Sequence, residues 1–200
     1  MRLLQAIPVL AGLAAAQTVP TGVTVPEISF AGTGCTAATR VGAAVTNPTL
    51  IAVPQTVYTA RSGVNGTRLV DTRLNCQVLV KVNHPAGWQM SVAKADYYGR
   101  VRLPQNSEAV SKTTYYYSGQ TRNVSTQYYF DGPFDGAYFR NDRFLTTASN
   151  KLWGPCGSQT MLNVNSEVRV GPLGSGISRE GYMDMYNLLH DRIIVDWRKC

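Results

Sequence analysis

Charged residues are scarce in this chain. They make up 16% of its 200 residues, whereas soluble domains usually contain roughly 25%. This shortage excludes a coiled coil and a soluble helical bundle, which need far more glutamate, lysine and leucine. Hydrophobic residues reach 44% and aromatic residues 10%, so the chain can bury a core, and intrinsic disorder is excluded as well. The length corresponds to about one domain.

Histidine and cysteine are also rare, with two and four residues respectively. No two cysteines lie within four residues of each other, and neither His84 nor His190 belongs to a cluster with metal-ligand spacing. The chain lacks the G-x-S-x-G motif of the α/β-hydrolases. We therefore predict no metal site and no cofactor. The segment 84–87 is typical of a turn, so we expect His84 to lie at the surface rather than to act as a general base.

Long apolar runs are missing after the first residues. Arg2 is followed by a short apolar stretch from Leu3 to Leu13 and by three alanines at 14–16. This order is typical of a secretory signal peptide, whereas a membrane-spanning helix needs about 20 apolar residues. We predict a cleaved signal peptide over residues 1–16, no transmembrane segment, and a secreted, extracellular protein.

The cysteines and the glycosylation sequons agree with export. The cysteines are even in number and widely spaced, which predicts two disulfides in an oxidising compartment; they are Cys35, Cys76, Cys156 and Cys200. Four cysteines allow three connectivities, and the sequence does not choose among them. Asn65 and Asn123 begin acceptor sequons for N-glycosylation, so we predict a glycoprotein.

Alternation of apolar and polar residues predicts strands through most of the chain. The clearest strand is 75–83, where Cys76, Val78, Val80 and Val82 share one face. Similar patterns, rich in β-branched and aromatic residues, predict further strands at 88–103, 110–117, 123–130, 161–170 and 191–199.

The number and spacing of these strands predict the fold class. We expect an all-β protein, an antiparallel two-sheet β-sandwich that is jelly-roll-like and stapled by disulfides. An extended lead-in is predicted at 17–26, and a single sandwich domain at 27–200. The segments 131–143 and 171–181 are predicted to be loops.

The predicted strand 161–170 carries the first candidate site. Asn163, Asn165, Glu167 and Arg169 share one face of it, at intervals of about 7 Å. This face combines two amides, a carboxylate and a guanidinium in one row, a set of groups suited to binding a sugar. The alternative is a solvated outer face, because any half-buried strand presents polar residues outward.

A catalytic role for the same strand is a further alternative. A glycoside hydrolase needs two carboxyl groups about 5 Å or about 6.5–9.5 Å apart. Asp96 is the partner that we name for Glu167, although nothing in the sequence places the two together.

Tyrosine clusters give the second candidate surface. Tyr98 and Tyr116 belong to runs in which consecutive residues point to opposite faces of a strand. Exposed tyrosine beside arginine forms a recognition surface for a glycan or a protein, and the alternative is cross-strand aromatic packing. The net charge of +7 is dispersed along the chain, which argues against nucleic acid. It favours an acidic extracellular surface, such as a pectin-like polymer or phospholipid headgroups.

Short motifs spread over the chain carry a family resemblance. They are Gly32-Thr33-Gly34-Cys35, Asn75-Cys76-Gln77, Ala95-Asp96-Tyr97-Tyr98-Gly99, Tyr115-Tyr116-Tyr117, Trp153-Gly154-Pro155-Cys156-Gly157, Leu162-Asn163-Val164-Asn165 and Trp197-Arg198-Lys199-Cys200. In this order they resemble the fungal secreted-protein family catalogued as domain of unknown function 4360. The resemblance implies a small, exported, disulfide-bonded fungal protein and supplies no catalytic residues.

The sequence as a whole predicts a secreted, non-enzymatic binding protein. We expect a fungal effector associated with virulence, or a cell-surface protein, that recognises a host protein or a cell-wall polymer. The alternative is a glycan-active enzyme using Glu167 and Asp96.

Overall fold

The computed structural model describes residues 19–35, 44–52, 57–63, 68–143, 151–171, 180–185 and 192–200. The predicted signal peptide, the sequon at Asn65, His190 and most of the segment 171–181 lie outside the described residues.

The described residues form eleven strands and one short 3₁₀ turn at Leu69–Thr72. The strands are β1 (Thr24–Ala31), β2 (Ala44–Asn47), β3 (Leu50–Ala52), β4 (Tyr58–Ser62), β5 (Arg73–Leu103), β6 (Glu108–Tyr117), β7 (Asn123–Asp131), β8 (Phe134–Asp142), β9 (Gly157–Val170), β10 (Gly181–Met185) and β11 (Arg192–Lys199).

The first sheet has the strand order β1, β5, β9, β6 and β7, and every pairing in it is antiparallel. β9 is central, with β5 on one side and β6 on the other. Asn165 of β9 therefore lies opposite both Gln77 of β5 and Thr114 of β6. The outward side chains of β9 are flanked on both sides by those of its neighbours.

The second sheet is built on the C-terminal part of β5. β11 pairs with one edge of β5 over 88–96, and β3 and β2 follow beyond it. β8 pairs with the opposite edge over 95–103. β10 pairs with Val101 and Arg102 and carries β4 on its other side.

β5 is 31 residues long and belongs to both sheets. Its pairing register shifts between Asn83 and Trp88. Within this interval Gly87 has a φ of +79°, a conformation that glycine adopts without steric penalty. The turn predicted at 84–87 is thus an irregularity inside one continuous strand, and the chain passes there from the first sheet to the second.

The inner faces of the two sheets form the core. The four residues predicted to share a face of 75–83 are all 0% exposed, and Ile193, Val195 and Trp197 of β11 are buried as well. Tyr97 of the second sheet and Tyr115 of the first are hydrogen-bonded through their hydroxyl groups. The predicted all-β antiparallel β-sandwich is confirmed.

A charged pair lies inside this core. Arg140 and Asp142 of β8 are each 1% exposed, and Arg140 Nε lies 3.0 Å from Asp142 Oδ1. The guanidinium donates hydrogen bonds to the hydroxyl groups of Ser111 and Thr113 of β6. It also lies 4.4 Å from the centre of the Tyr97 ring. We call these residues, with Tyr115 and Thr126, the buried charge cluster.

The carboxylate of Asp142 has its own partners from the first sheet. It accepts hydrogen bonds from the hydroxyl groups of Thr126 and Tyr115. Burial raises the pKa of Asp142, and the charge of Arg140 opposes this rise. Burial also raises the pKa of Tyr115 well above its usual value. The cluster therefore ties β8 of one sheet to β6 and β7 of the other.

The prediction of a loop at 131–143 is wrong, because β8 occupies most of it. In this strand the inward residues Arg140 and Asp142 are charged, whereas the outward residue Phe139 is 54% exposed. In the last four residues of β8 the usual correspondence between apolar residues and the buried face is therefore reversed. Two inward charges are tolerated because they neutralise each other and bond to hydroxyl groups.

The two predicted disulfides are present, and the structure gives their connectivity. Cys35 is bonded to Cys76 and Cys156 to Cys200, across sequence separations of 41 and 44 residues. The first bond ties the segment after β1 to β5, and the second ties the segment before β9 to the end of β11. A disulfide that closes a loop of this length stabilises the folded protein by about 2–4 kcal/mol, mainly because it lowers the entropy of the unfolded chain.

His84 is buried, so the prediction of a surface histidine is wrong. It is 5% exposed, and its Nε2 lies 2.9 Å from Thr160 Oγ1. Its ring centre lies 5.1 Å from that of Trp197, in an edge-to-face arrangement. The alternation of β5 continues through the irregular interval and turns His84 inward. Desolvation by burial lowers the pKa of His84.

This burial predicts a contribution to pH-dependent stability. A histidine whose pKa is lowered in the folded state stabilises the fold above its unfolded value of 6.5, and the contribution is lost as the pH falls through the folded value. We expect His84→Gln to flatten the fall in melting temperature between about pH 7 and pH 5. Thermal unfolding followed by circular dichroism measures this, and equal slopes for both proteins would contradict it.

Candidate functional site

The outer face of the first sheet carries a polar patch that we call the amide face. It consists of Asn75 and Gln77 of β5, Asn163 and Asn165 of β9, and Tyr116 of β6. The β9 residues that alternate with Asn163 and Asn165, such as Val164, are buried in the core. Alternation along three adjacent strands therefore places these five side chains together on the side away from the core.

Gln77 connects the three strands of the amide face. Its Nε2 donates to Tyr116 Oη at 2.8 Å and to Asn163 Oδ1 at 3.1 Å. Asn163 Nδ2 donates in turn to Ser118 Oγ at 3.0 Å. Asn163 is 4% exposed, so its amide is a fixed part of this surface, whereas Tyr116 is half-buried.

Asn75 and Asn165 form the second part of the amide face. Asn75 Nδ2 donates to Asn165 Oδ1 at 3.1 Å, and the Asn75 carboxamide oxygen accepts a hydrogen bond from Thr33 Oγ1. The cross-strand bond sets the orientation of the half-buried Asn165 amide. Its Nδ2 group is consequently held in a defined direction.

Charged residues lie at one end of the amide face. Glu167 accepts a hydrogen bond from Arg73 at 2.6 Å, and this bond raises the pKa of Arg73. Lys112 of β6 lies opposite Glu167 in the sheet register, and Arg169 lies opposite Arg73. Glu167 is thus surrounded by basic side chains.

Glu167 and Asp96 are not brought together. Glu167 is on the outer face of the first sheet. Asp96 precedes the inward Tyr97 and faces outward from the second sheet, where it bonds to Asn141 and lies 3.3 Å from Lys94 Nζ. The carboxyl pair that glycoside hydrolysis requires is therefore not formed by these two residues.

The predicted binding residues divide between the two sheets. Asn163, Asn165, Glu167, Arg169 and Tyr116 share the outer face of the first sheet. Tyr98 lies on the outer face of the second sheet. Asn75 and Gln77 were not among the predicted binding residues, although the alternation of 75–83 already placed Gln77 on the face away from the core.

Tyr98 belongs to an exposed aromatic pair. It lies opposite Phe139 of β8 in the sheet register, and their ring centres are 4.8 Å apart. Tyr98 is 44% and Phe139 is 54% exposed. Because Phe139 falls in the segment predicted to be a loop, the sequence did not place it beside Tyr98.

The sequon residue Asn123 lies at the margin of the amide face. It is exposed on β7 and lies directly opposite Tyr116 of β6. Glycosylation at Asn123 stays a prediction, and a glycan there would begin next to the amide face.

Among the described residues, no group of three histidine, cysteine, aspartate or glutamate side chains is arranged to hold a metal ion.

A match to a known family covers most of the chain. Residues 21–200 match the family described as Domain of unknown function (DUF4360). The chain belongs to this family. The resemblance predicted from the short motifs is therefore confirmed, and both disulfides of this DUF4360 protein lie within the matched residues.

One relative is an "Uncharacterized secreted protein" of the fungus Arthroderma benhamiae. It is 33% identical over 151 residues, which are 76% of this chain and 60% of that protein. The DUF4360 protein thus spans less than two thirds of the length of this relative. This likeness and the two disulfides place the DUF4360 protein among secreted proteins.

One solved structure with a similar course of the chain is that of TmCBM61 in complex with beta-1,4-galactotriose. It has 11% sequence identity and a TM-score of 0.32, covering 88% of this chain and 90% of that one. In the described part of the chain, no helix is long and apolar enough to span a membrane.

Proposed function

We propose that this DUF4360 protein binds polysaccharide outside the fungal cell, and that the amide face contacts the hydroxyl groups of the sugar chain. The observation that carries the proposal is the hydrogen-bonded array of amides and tyrosine across β5, β9 and β6. A carboxamide offers both donors and an acceptor, which suits sugar hydroxyl groups because these also donate and accept.

Preorganisation of the array supports binding rather than simple solvation. Gln77 holds both Tyr116 and Asn163, and Asn75 holds Asn165. Side chains that are already oriented lose little conformational entropy when a ligand arrives. Amides on a merely solvated face would need no such cross-strand bonds, since water satisfies their hydrogen bonds.

The test is binding to a panel of neutral fungal and plant wall polysaccharides by affinity electrophoresis and calorimetry. Losing one hydrogen bond weakens binding by about 1 kcal/mol, or about fivefold. We expect this reduction for Asn165→Ala and for Tyr116→Phe. Gln159→Ala is the matched control, because Gln159 lies on the same strand and bonds to Asn83 outside the amide face. Unchanged affinity in both test variants, or no bound polymer at all, would contradict the proposal.

A host protein is the second candidate partner, and the exposed Tyr98–Phe139 pair favours it. Aromatic side chains are enriched at protein interfaces. In an effector role, the protein would therefore bind its host partner through the second sheet and not through the amide face. Tyr98→Ala distinguishes the two functions within the same experiment. If the amide face binds polysaccharide, this variant keeps the wild-type affinity for the polymer.

A further inference from the structure

A cleft at one end of the sandwich concentrates positive charge. It has a volume of about 470 Å³ and lies between the turn that follows β6, the segment before β9 and the end of β11. Its chemistry is set by Arg122 from the turn, Lys151 and Trp153 from the segment, and Arg198 from β11, with Gln89 of β5 beside them. We call it the cationic cleft.

Trp153 and Gln89 hold the arginine of β11 in place. The Arg198 guanidinium lies 4.2 Å from the centre of the Trp153 ring, and Arg198 Nε donates to Gln89 Oε1 at 2.8 Å. Gln89 Nε2 donates to the carbonyl oxygen of Gly154 at 2.9 Å. Lys151 Nζ lies 5.4 Å from the centre of the same Trp153 ring and is paired with Asp196. Arg198 and Lys151 are therefore both held against the Trp153 ring, and each has a further polar partner.

Covalent and backbone bonds keep the walls together. The Cys156–Cys200 disulfide joins the segment that contains Trp153 to the strand that contains Arg198. Gly154 N donates to Met90 O at 2.8 Å, and Trp153 forms a bridge with Ser91. An added Cβ at Gly154 would meet Thr160 Cγ2 at 3.0 Å and Tyr117 Cε1 at 3.2 Å, so this segment lies close against the core.

Two guanidinium groups of the cleft have no carboxylate partner among the described residues. Neither Arg122 nor Arg198 forms an ion pair with a described residue, and none of the described residues that line the cleft is acidic. Several other exposed arginines do have such partners: Arg61 with Glu180, Arg68 with Asp71, Arg73 with Glu167 and Arg100 with Asp135. The cleft thus has space for an anion and two guanidinium groups that can bind it.

We propose that the cationic cleft binds the carboxylate groups of an acidic polysaccharide that contains uronic acid residues. This inference rests on the proposed polysaccharide-binding function and names an acidic subsite separate from the amide face. The volume lies within the range of sites that enclose small ligands, which suits one or two sugar units. The planar guanidinium matches a carboxylate through two parallel hydrogen bonds, and Gln120 of the cleft offers an amide to the sugar hydroxyl groups.

The experiment compares polygalacturonate with its fully methyl-esterified form, which lacks the charges. Calorimetry with the full chain is expected to give tighter binding to the charged polymer, with the difference shrinking as salt is raised from about 50 mM to about 500 mM. Arg122→Gln and Arg198→Gln are each expected to weaken binding to polygalacturonate by about tenfold, the effect of losing a charge-assisted bond of about 1.4 kcal/mol.

Arg61→Gln is the matched control, because it removes the same charge outside the cleft, on β4. Among the described residues, Arg122 has no ring contact comparable to that of Arg198 on Trp153, so its variant tests the cleft even if Arg198→Gln unfolds. Equal binding of both polymers, or equal losses in Arg61→Gln and Arg122→Gln, would overturn the inference and leave the proposed function standing. Binding of neither polymer, nor of any member of the neutral panel, would overturn both. Binding to phosphatidylserine vesicles that depends on Arg122, without binding to polygalacturonate, would assign the cleft to lipid phosphates and refute this inference.

Discussion

Arg140→Met is expected to lower the free energy of unfolding by about 3–5 kcal/mol, because it leaves Asp142 as an unpaired charge inside the core. Asp142 is 1% exposed, so water cannot replace the lost guanidinium. The variant also removes the donor to Ser111 and Thr113. Urea unfolding followed by tryptophan fluorescence measures the change. A loss below about 1 kcal/mol would mean that the pair contributes no more than a surface ion pair.

The double variant Arg140→Met/Asp142→Leu is the control for this prediction. It removes both charges, and replacing a buried pair by apolar residues is often neutral. We therefore expect it to be more stable than Arg140→Met alone. If the double variant were less stable by the sum of both single losses, the charges would not be coupled.

The pH dependence of Arg140→Met separates a charge effect from a packing effect. Burial raises the folded pKa of Asp142 above its usual 3.8, and the variant removes the arginine that opposes this rise. A carboxyl group with a raised folded pKa stabilises the fold below its unfolded value, and this contribution is lost as the pH rises through the folded value. The deficit of the variant should therefore shrink when the pH is lowered from about 7 to about 5. A purely steric deficit would not change.

Gly99→Ala is the second substitution with a large expected effect, a loss of about 3 kcal/mol through overpacking. Gly99 has no unusual φ, so its role is space and not conformational freedom. An added Cβ would overlap the carbonyl oxygen of Asp184 and the ring of Tyr138. These two groups are themselves joined, since Tyr138 Oη donates to Asp184 O at 3.0 Å, and neither can move without breaking that bond.

Gly136→Ala is the matched control on the neighbouring strand. Gly136 of β8 lies opposite Val101 of β5, and an added Cβ there would be 3.5 Å from the Phe134 ring, an ordinary contact. We expect Gly136→Ala to be neutral or slightly stabilising, because glycine is unfavourable inside a strand. Chemical denaturation of both variants measures the difference. Equal effects would show that the space at Gly99 is not limiting.

Alternation along single strands predicted most of the sandwich. It placed the inward residues of β5 and β11 correctly, and it collected Asn163, Asn165 and Glu167 on the outer face of β9. It failed at β8 because Arg140 and Asp142 point inward there. An apolar–polar alternation cannot reveal that two opposite charges on the same strand pair with each other inside a core.

The partners of these residues depended on information that a single strand does not contain. The position of Gln77 beside Asn163 and Tyr116 follows from the register of β5, β9 and β6, which no local signal fixes. The cationic cleft combines residues from 89 to 198, and one of its walls is held by Cys156–Cys200. The sequence left the disulfide connectivity open, so it did not bring Trp153 and Arg198 together.

The shared strand β5 has a consequence for how the protein is made. β5 is complete at Leu103, yet its second-sheet partner β11 begins at Arg192. The edge of β5 over 88–96 therefore lacks its partner strand until β11 has been synthesised. Exposed strand edges of this kind are the surfaces at which chains aggregate. Until β11 is available, this edge of β5 is therefore a place where pairing with another chain would compete with folding.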